Sequence, residues 1–159
     1  MMNRTRFFSV IISGVLSICS ALPLISQAGS LKSFGQGSYT QIEEAYAKQP
    51  FFVSLWSIDC PPCIDELPEM AEYFSRHPEI ALVLISTDGI ALADEVEQVL
   101  GQNGLANADS WIFAESFVER LRYEVDSSWQ GELPRSYYYT PGQTRQRIRG
   151  RIQFNALDE

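Results

Sequence analysis

Apolar positions along this chain recur in two different periods. Residues 51–56 (Phe-Phe-Val-Ser-Leu-Trp) and 80–85 (Ile-Ala-Leu-Val-Leu-Ile) are nearly unbroken apolar runs, as expected of strands covered on both faces. Between them Cys63, Leu67, Met70 and Phe74 recur at helical spacing, which predicts a helix over residues 61–76. Strand, helix and strand within about 35 residues form a βαβ unit with a right-handed crossover, so the two strands should be parallel.

Upstream, Ser38-Tyr39-Thr40-Gln41 has the form of a capping box, and Ile42, Ala45 and Tyr46 then share one face of a short helix ending near Gln49-Pro50. Downstream, Leu92, Val96, Val99 and Leu100 predict a helix stopped by Gly101 and Gly104. Residues 111–113 read as a short strand, and Phe117, Val118 and Leu121 as a further helix. A loop over residues 126–133 leads into Pro134. Residues 137–139 and 144–154 flank Thr140-Pro141-Gly142-Gln143, a hairpin turn, so the sheet should finish antiparallel. No internal repeat or low-complexity linker interrupts the pattern, and 159 residues are enough for one domain rather than two.

Residues 1–28 stand apart. Arg4 and Arg6 precede an apolar stretch over residues 7–25, and Ser26-Gln27-Ala28 supplies small residues where a signal peptidase reads. The expectation is a signal peptide over 1–28 and a single domain over 29–159. The alternative is that residues 7–25 stay as a membrane tether. Lipidation of Cys19 is a third reading, opposed by the bulky Ile18 before it. Removal of the leader takes Cys19 with it and leaves Cys60 and Cys63 alone in a disulfide-permitting compartment. It also takes two arginines, moving the formal charge from −8 to about −10. Such an acidic surface argues against nucleic acid as a partner.

The candidate chemistry is Cys60-Pro61-Pro62-Cys63, at the carboxyl end of the first apolar strand and the start of the helix. Function in open α/β sheets gathers at that end. Pro61 and Pro62 suit a first helical turn. Cys60 would then sit at the helix N-terminus, where the dipole favours a thiolate, and Cys63, one turn in on the apolar stripe, would be more buried. That assigns Cys60 as nucleophile and Cys63 as the resolving thiol. A structural zinc site would need four ligands, and His77 lies roughly 20 Å from Cys63 along the helix. No metal and no cofactor is expected.

Cys60-Pro-Pro-Cys63 followed by Glu66 and Pro68 gives C-x-x-C-x-x-E-x-P, and over residues 34–154 the chain resembles the exported TlpA/ResA/CcmG-like thiol-disulfide oxidoreductases of the thioredoxin superfamily. The resemblance implies a three-layer α/β/α sandwich around a mixed central sheet, with a C-terminal helix short or absent. It implies that Cys60 attacks, that Cys63 resolves and that Pro68 bends the helix. Pro134 would be a cis-proline facing the cysteines, with Leu133 offering backbone hydrogen bonds to a substrate peptide; the other reading of Pro134 is an ordinary trans loop proline. Trp56 keeps the aromatic four residues before Cys60, either as a substrate contact or as core. Glu66 stands as a proton relay to Cys63 or as part of an acidic solvated face with Glu69 and Glu72.

Three departures from that family are visible: Asp59 where a tryptophan usually precedes the first cysteine, Ser54 where thioredoxin itself carries a buried acid, and too few residues after Phe154 for a closing helix. Arg145, Arg147, Arg149 and Arg151 alternate along the last strand, placing four cations on one face, as edge protection or for an acidic partner. The function expected is reduction, rather than oxidation, of disulfides in exported proteins by a periplasmic or otherwise extracytoplasmic enzyme. Its partners would be those substrates and an upstream membrane or periplasmic thiol donor. The competing readings are a copper-binding protein or metallochaperone using the same dithiol as soft ligands, with Met70 the only remaining methionine to assist, and a scaffold with idle cysteines.

Overall fold

The computed structural model describes residues 29–142 and 144–157. The expected leader and tether lie outside them, as does Gln143 of the hairpin turn. Six strands form one sheet in the order β1-β4-β3-β2-β5-β6. They are β1 (Lys32–Phe34), β2 (Phe51–Trp56), β3 (Ala81–Gly89), β4 (Asp109–Phe113), β5 (Arg135–Tyr139) and β6 (Arg145–Arg149). β2, β3, β4 and β1 run parallel, while β5 pairs antiparallel with β2 and β6 antiparallel with β5.

Two helices cover each face. α2 (Pro61–Arg76) and α3 (Ala93–Gln102) pack on one side through Leu67, Met70, Phe74, Val96 and Leu100, meeting Phe52, Leu84 and Ile112 of the sheet. α1 (Ser38–Ala45) and α4 (Val118–Val125) cover the other through Tyr39, Ile42, Leu121 and Val125, against Phe51, Val53, Leu55, Ile85 and Tyr137. Every residue of β2 is buried, which is why its sequence shows no polar alternation. The three-layer α/β/α sandwich with a mixed sheet is therefore present. Instead of a closing helix, the described chain ends in a short 3-10 turn (Phe154–Leu157), and the Phe154 ring lies 5.0 Å from that of Tyr73 on α2.

Several elements differ from the sequence pattern for identifiable reasons. The capping box at Ser38 does not form. The helix is entered through Gly37, in the left-handed region (φ 85°), and its open amides are satisfied from another element: Gly37 N and Tyr39 N donate to the Glu124 carboxylate at 2.9 and 3.0 Å. β1 is too short to show a period, and its existence depends on parallel pairing with β4. β5 begins at Arg135, two residues before the apolar stretch suggested. β6 stops at Arg149 because Gly150 takes φ 72° and turns the chain. Arg145, Arg147 and Arg149 thus share one face, but Arg151 is carried across to α2, where it pairs with Glu69 at 2.9 Å.

Candidate active site

Cys60 is the N-cap of α2 (φ −110°, ψ 92°), with Pro61 and Pro62 in the first helical turn. A proline there sacrifices no helical hydrogen bond. Cys60 and Cys63 are joined by a disulfide, with Cα atoms 5.2 Å apart. The two ends are not equivalent: Cys60 keeps 9% of its surface and Cys63 none. Only the first can meet a docking molecule.

The turn between β2 and α2 is held by a residue the sequence pattern did not single out. Asp88, at the end of β3 and nearly buried, accepts hydrogen bonds from Ser57 Oγ (2.7 Å), Ile58 N (3.0 Å) and Ser86 Oγ (2.6 Å). Ser57 O in turn accepts from Cys60 N at 3.1 Å. One carboxylate on the neighbouring strand thereby fixes the approach to Cys60. The available signal was its location, an acid closing an apolar strand at the carboxyl edge of a parallel sheet.

Glu66 is fully buried, whereas Glu69 and Glu72 on the same helix are exposed, so it does not belong to a solvated acidic face. Its Oε1 accepts from Ile152 N at 2.5 Å and stands 3.9 Å from Arg151 Nε. Its Oε2 is buried with no hydrogen-bond partner among the described residues. Burial pushes the Glu66 carboxyl above its ordinary value, the Ile152 amide and Arg151 pull it back, and Glu69 adds to the rise. The carboxyl sits one turn beyond Cys63 on the inner side of α2.

The Leu133–Pro134 bond is cis. Leu55 of β2 pairs with Arg135 of β5, so Pro134 comes level with the end of β2, the edge from which the chain proceeds to Cys60. Leu133 packs against the cluster containing both cysteines and also against the cluster on the opposite face. Trp56 does not join this surface. It is fully buried in the cluster with Cys60 and Cys63, and its Nε1 has no partner among the described residues. It forms part of the wall beneath the disulfide and offers nothing to a docking peptide.

The loop carrying Leu133 and Pro134 is clamped by charge. Arg135 is wholly buried, and its guanidinium donates to Asp126 Oδ2 (2.8 Å), Glu132 Oε1 (2.6 Å) and the Tyr137 hydroxyl (2.9 Å). Asp126 also accepts from Ser128 N and Oγ and from Tyr137 OH. Burial alone would raise the Asp126 carboxyl, but the bonds from Ser128, Arg135 and Tyr137 outweigh it and hold the group far below the usual carboxylate range. Trp129 Nε1 donates to Glu132 O at 2.8 Å, and Gly131 turns the loop at φ 101°, where a Cβ would come within 3.0 Å of the Arg122 guanidinium. A charged residue inside the strand Arg-Ser-Tyr-Tyr-Tyr, with acids three and nine positions upstream, was the overlooked signal.

Met70, the other ligand open to a copper site, is buried two turns beyond Cys63. Among the described residues no group of three histidine, cysteine or acidic side chains converges on a metal position.

The fold recurs in solved structures. The secreted Mycobacterium tuberculosis disulfide oxidoreductase homologous to E. coli DsbE superposes with a TM-score of 0.57 at 18% identity, covering 71% of this chain and 81% of that one. The chain has a thioredoxin-like fold. A thiol:disulfide interchange protein of the thioredoxin family from Chlorobium tepidum superposes at 0.58, 17% identity, over 73% and 79% of the two chains. The thioredoxin-related protein from Neisseria meningitidis serogroup B gives 0.57 at 22% identity over 70% and 81%. No family model matches the sequence, and no curated protein matches it. In this thioredoxin-like frame, Asp88 and the Asp126–Arg135–Glu132 clamp are the parts that the cysteine motif does not announce.

Proposed function

We propose that this protein is an exported thiol-disulfide oxidoreductase that reduces disulfides in other proteins. The observation that carries the reading is the unequal exposure of the two cysteines at the N-terminus of α2, Cys60 with a small part of its surface open and Cys63 enclosed. In the reduced protein the Cys60 thiolate attacks a substrate disulfide, forming a mixed disulfide and releasing one substrate thiolate. Cys63, as thiolate, then attacks the Cys60 sulfur and releases the second. Two electrons have passed to the substrate, and the Cys60–Cys63 disulfide remains to be reduced by an upstream dithiol. Glu66 takes the Cys63 proton as that thiol becomes the nucleophile. Leu133 presents its backbone to the substrate peptide.

The direction is supported by what the helix start lacks. Pro61 and Pro62 carry no N–H, and the amide of Cys63 is given to Cys60 O at 2.9 Å. Asp59, exposed beside Cys60, adds a like charge. A thiolate with few donors and a neighbouring carboxylate is stabilised poorly, and a poorly stabilised reduced form makes a reductant. The leader pattern of residues 1–28 supports export, as does the secreted state of the M. tuberculosis neighbour. No helix among the described residues is long and apolar enough to cross a membrane.

Equilibrating the pair against glutathione and dithiothreitol buffers tests the direction. A reductase places the potential more negative than about −200 mV, and a value near about −120 mV would make the protein an oxidant.

A further inference from the structure

β6 is an edge strand, and three cross-strand pairs on its α1/α4 face join it to β5: Tyr139 with Arg145, Tyr137 with Arg147 and Arg135 with Arg149. The first two set an arginine opposite a tyrosine, and the Arg145 guanidinium lies 4.0 Å over the ring of Tyr137, its diagonal neighbour. The third sets two arginines opposite one another in the register, and like charges so placed destabilise a sheet unless acids balance them. Arg135 already holds both carboxylates within reach, Asp126 and Glu132. Arg145 and Arg147 also approach Asp126, at 3.1 and 3.3 Å. Four arginines therefore face two acids. Arg149 is exposed and has no ion pair among the described residues.

Its location gives the surplus charge a use. The residue after it, Gly150, donates its amide to Pro134 O at 3.1 Å, so Arg149 borders the loop that carries Leu133 and Pro134. Arg147, itself 41% exposed, continues the basic edge. The chain as a whole is strongly acidic, with a formal charge of −8. A basic rim beside a docking loop on an acidic protein selects by charge.

We propose that Arg149, with Arg147 behind it, forms an acceptor rim for acidic residues flanking the target cysteine of a substrate polypeptide. The proposal rests on the oxidoreductase reading and adds the class of substrate. An extended acidic segment lying along Leu133 would bring a carboxylate to the exposed Arg149, supplying the counter-ion it lacks in the free protein.

The test uses the reduced protein and three disulfide-linked peptide pairs that differ only in having Asp, Ala or Lys beside the cysteine. The expected order of kcat/KM is Asp, Ala, Lys, with each step roughly two- to five-fold at low ionic strength and lost in high salt. In Arg149→Glu the order should invert, and in Arg149→Gln the Asp-to-Lys ratio should shrink toward one. Turnover of all three peptides at equal rates, a preference for Lys, or an Asp preference unchanged in both variants would overturn the rim while leaving the oxidoreductase reading intact. Failure of the wild-type protein to turn over even the Ala peptide would overturn that reading itself, and the rim with it.

Discussion

Arg135 and Asp126 meet at 2.8 Å inside the protein, at the two ends of the loop that delivers Leu133 and Pro134 to the edge where Cys60 stands. The pair ties this loop to the sheet by charge, in a layer otherwise filled by Tyr137, Val125 and Trp129. It gains from Arg145, Arg147, Ser128 and Tyr137 the additional partners that a buried ion pair requires.

Removing one partner should cost far more than the pair contributes. Arg135→Met leaves Asp126 buried without its main counter-ion, and Asp126→Asn does the same to Arg135. Each is expected to lower stability by about 3–5 kcal/mol, read from denaturant midpoints. The double variant should recover part of that loss. The pH dependence has a definite sign. Because the Asp126 carboxyl is held well below its ordinary value in the folded state, its contribution is fully present above the ordinary carboxylate range and declines as pH falls through and below it. Urea titrations from pH 7 to pH 2 should show a decline in the native protein that is weaker in Asp126→Asn.

Glu66 should behave in the opposite sense. Its carboxyl is raised by burial, so the folded state binds this proton more tightly than the unfolded chain does. Stability then falls as pH rises from the ordinary glutamate value through the raised one, and is level above it. Glu66→Gln keeps an acceptor for Ile152 N and removes that fall. Its turnover should drop by on the order of a hundred-fold or less, with the corresponding limb of the pH–rate profile lost. An unchanged profile would remove Glu66 from proton transfer.

Asp88→Ala frees Ser57 Oγ, Ser86 Oγ and Ile58 N at once. The expected cost is about 1–3 kcal/mol in stability. A fall in kcat greater than any rise in KM should accompany it, since the residue positions the nucleophile and does not touch substrate. Asp88→Asn should recover most of the loss.

Trp56→Phe tests a residue by its lack of effect on binding. The indole Nε1 has no partner among the described residues, and the side chain is enclosed. The substitution should cost packing alone, well below the about 3–5 kcal/mol of a truncation to alanine, and should leave KM for a protein disulfide where it was. A shifted KM would mean that the ring reaches substrate.

How much of this was legible beforehand depended on the range of the interactions. β2, α2 and β3 announce themselves because burial on both faces, or on one helical face, imposes a period within a few residues. The unequal burial of Cys60 and Cys63 follows from the same local geometry, since one is a cap and the other lies on the apolar stripe. β1 was invisible because three residues carry no period, and the cap of α1 was misread because its acceptor, Glu124, is 85 residues away from the Tyr39 amide it satisfies. Arg151 was placed with its strand neighbours because alternation assumes the strand continues, and Gly150 ends it. Arg135 drew no notice because a charge in a strand acquires meaning only when the fold brings Asp126 and Glu132 around it.

Attack by Cys60 and resolution by Cys63 can be separated by a trapping experiment. Reduced Cys63→Ser and Cys60→Ser proteins are each incubated with an extracytoplasmic protein fraction, and disulfide-linked adducts are identified by mass spectrometry before and after dithiothreitol. Reducible adducts through Cys60 are expected in Cys63→Ser and none in Cys60→Ser, where the enclosed Cys63 sulfur cannot meet a partner. Adducts formed only by Cys60→Ser, or by neither variant, would contradict that assignment.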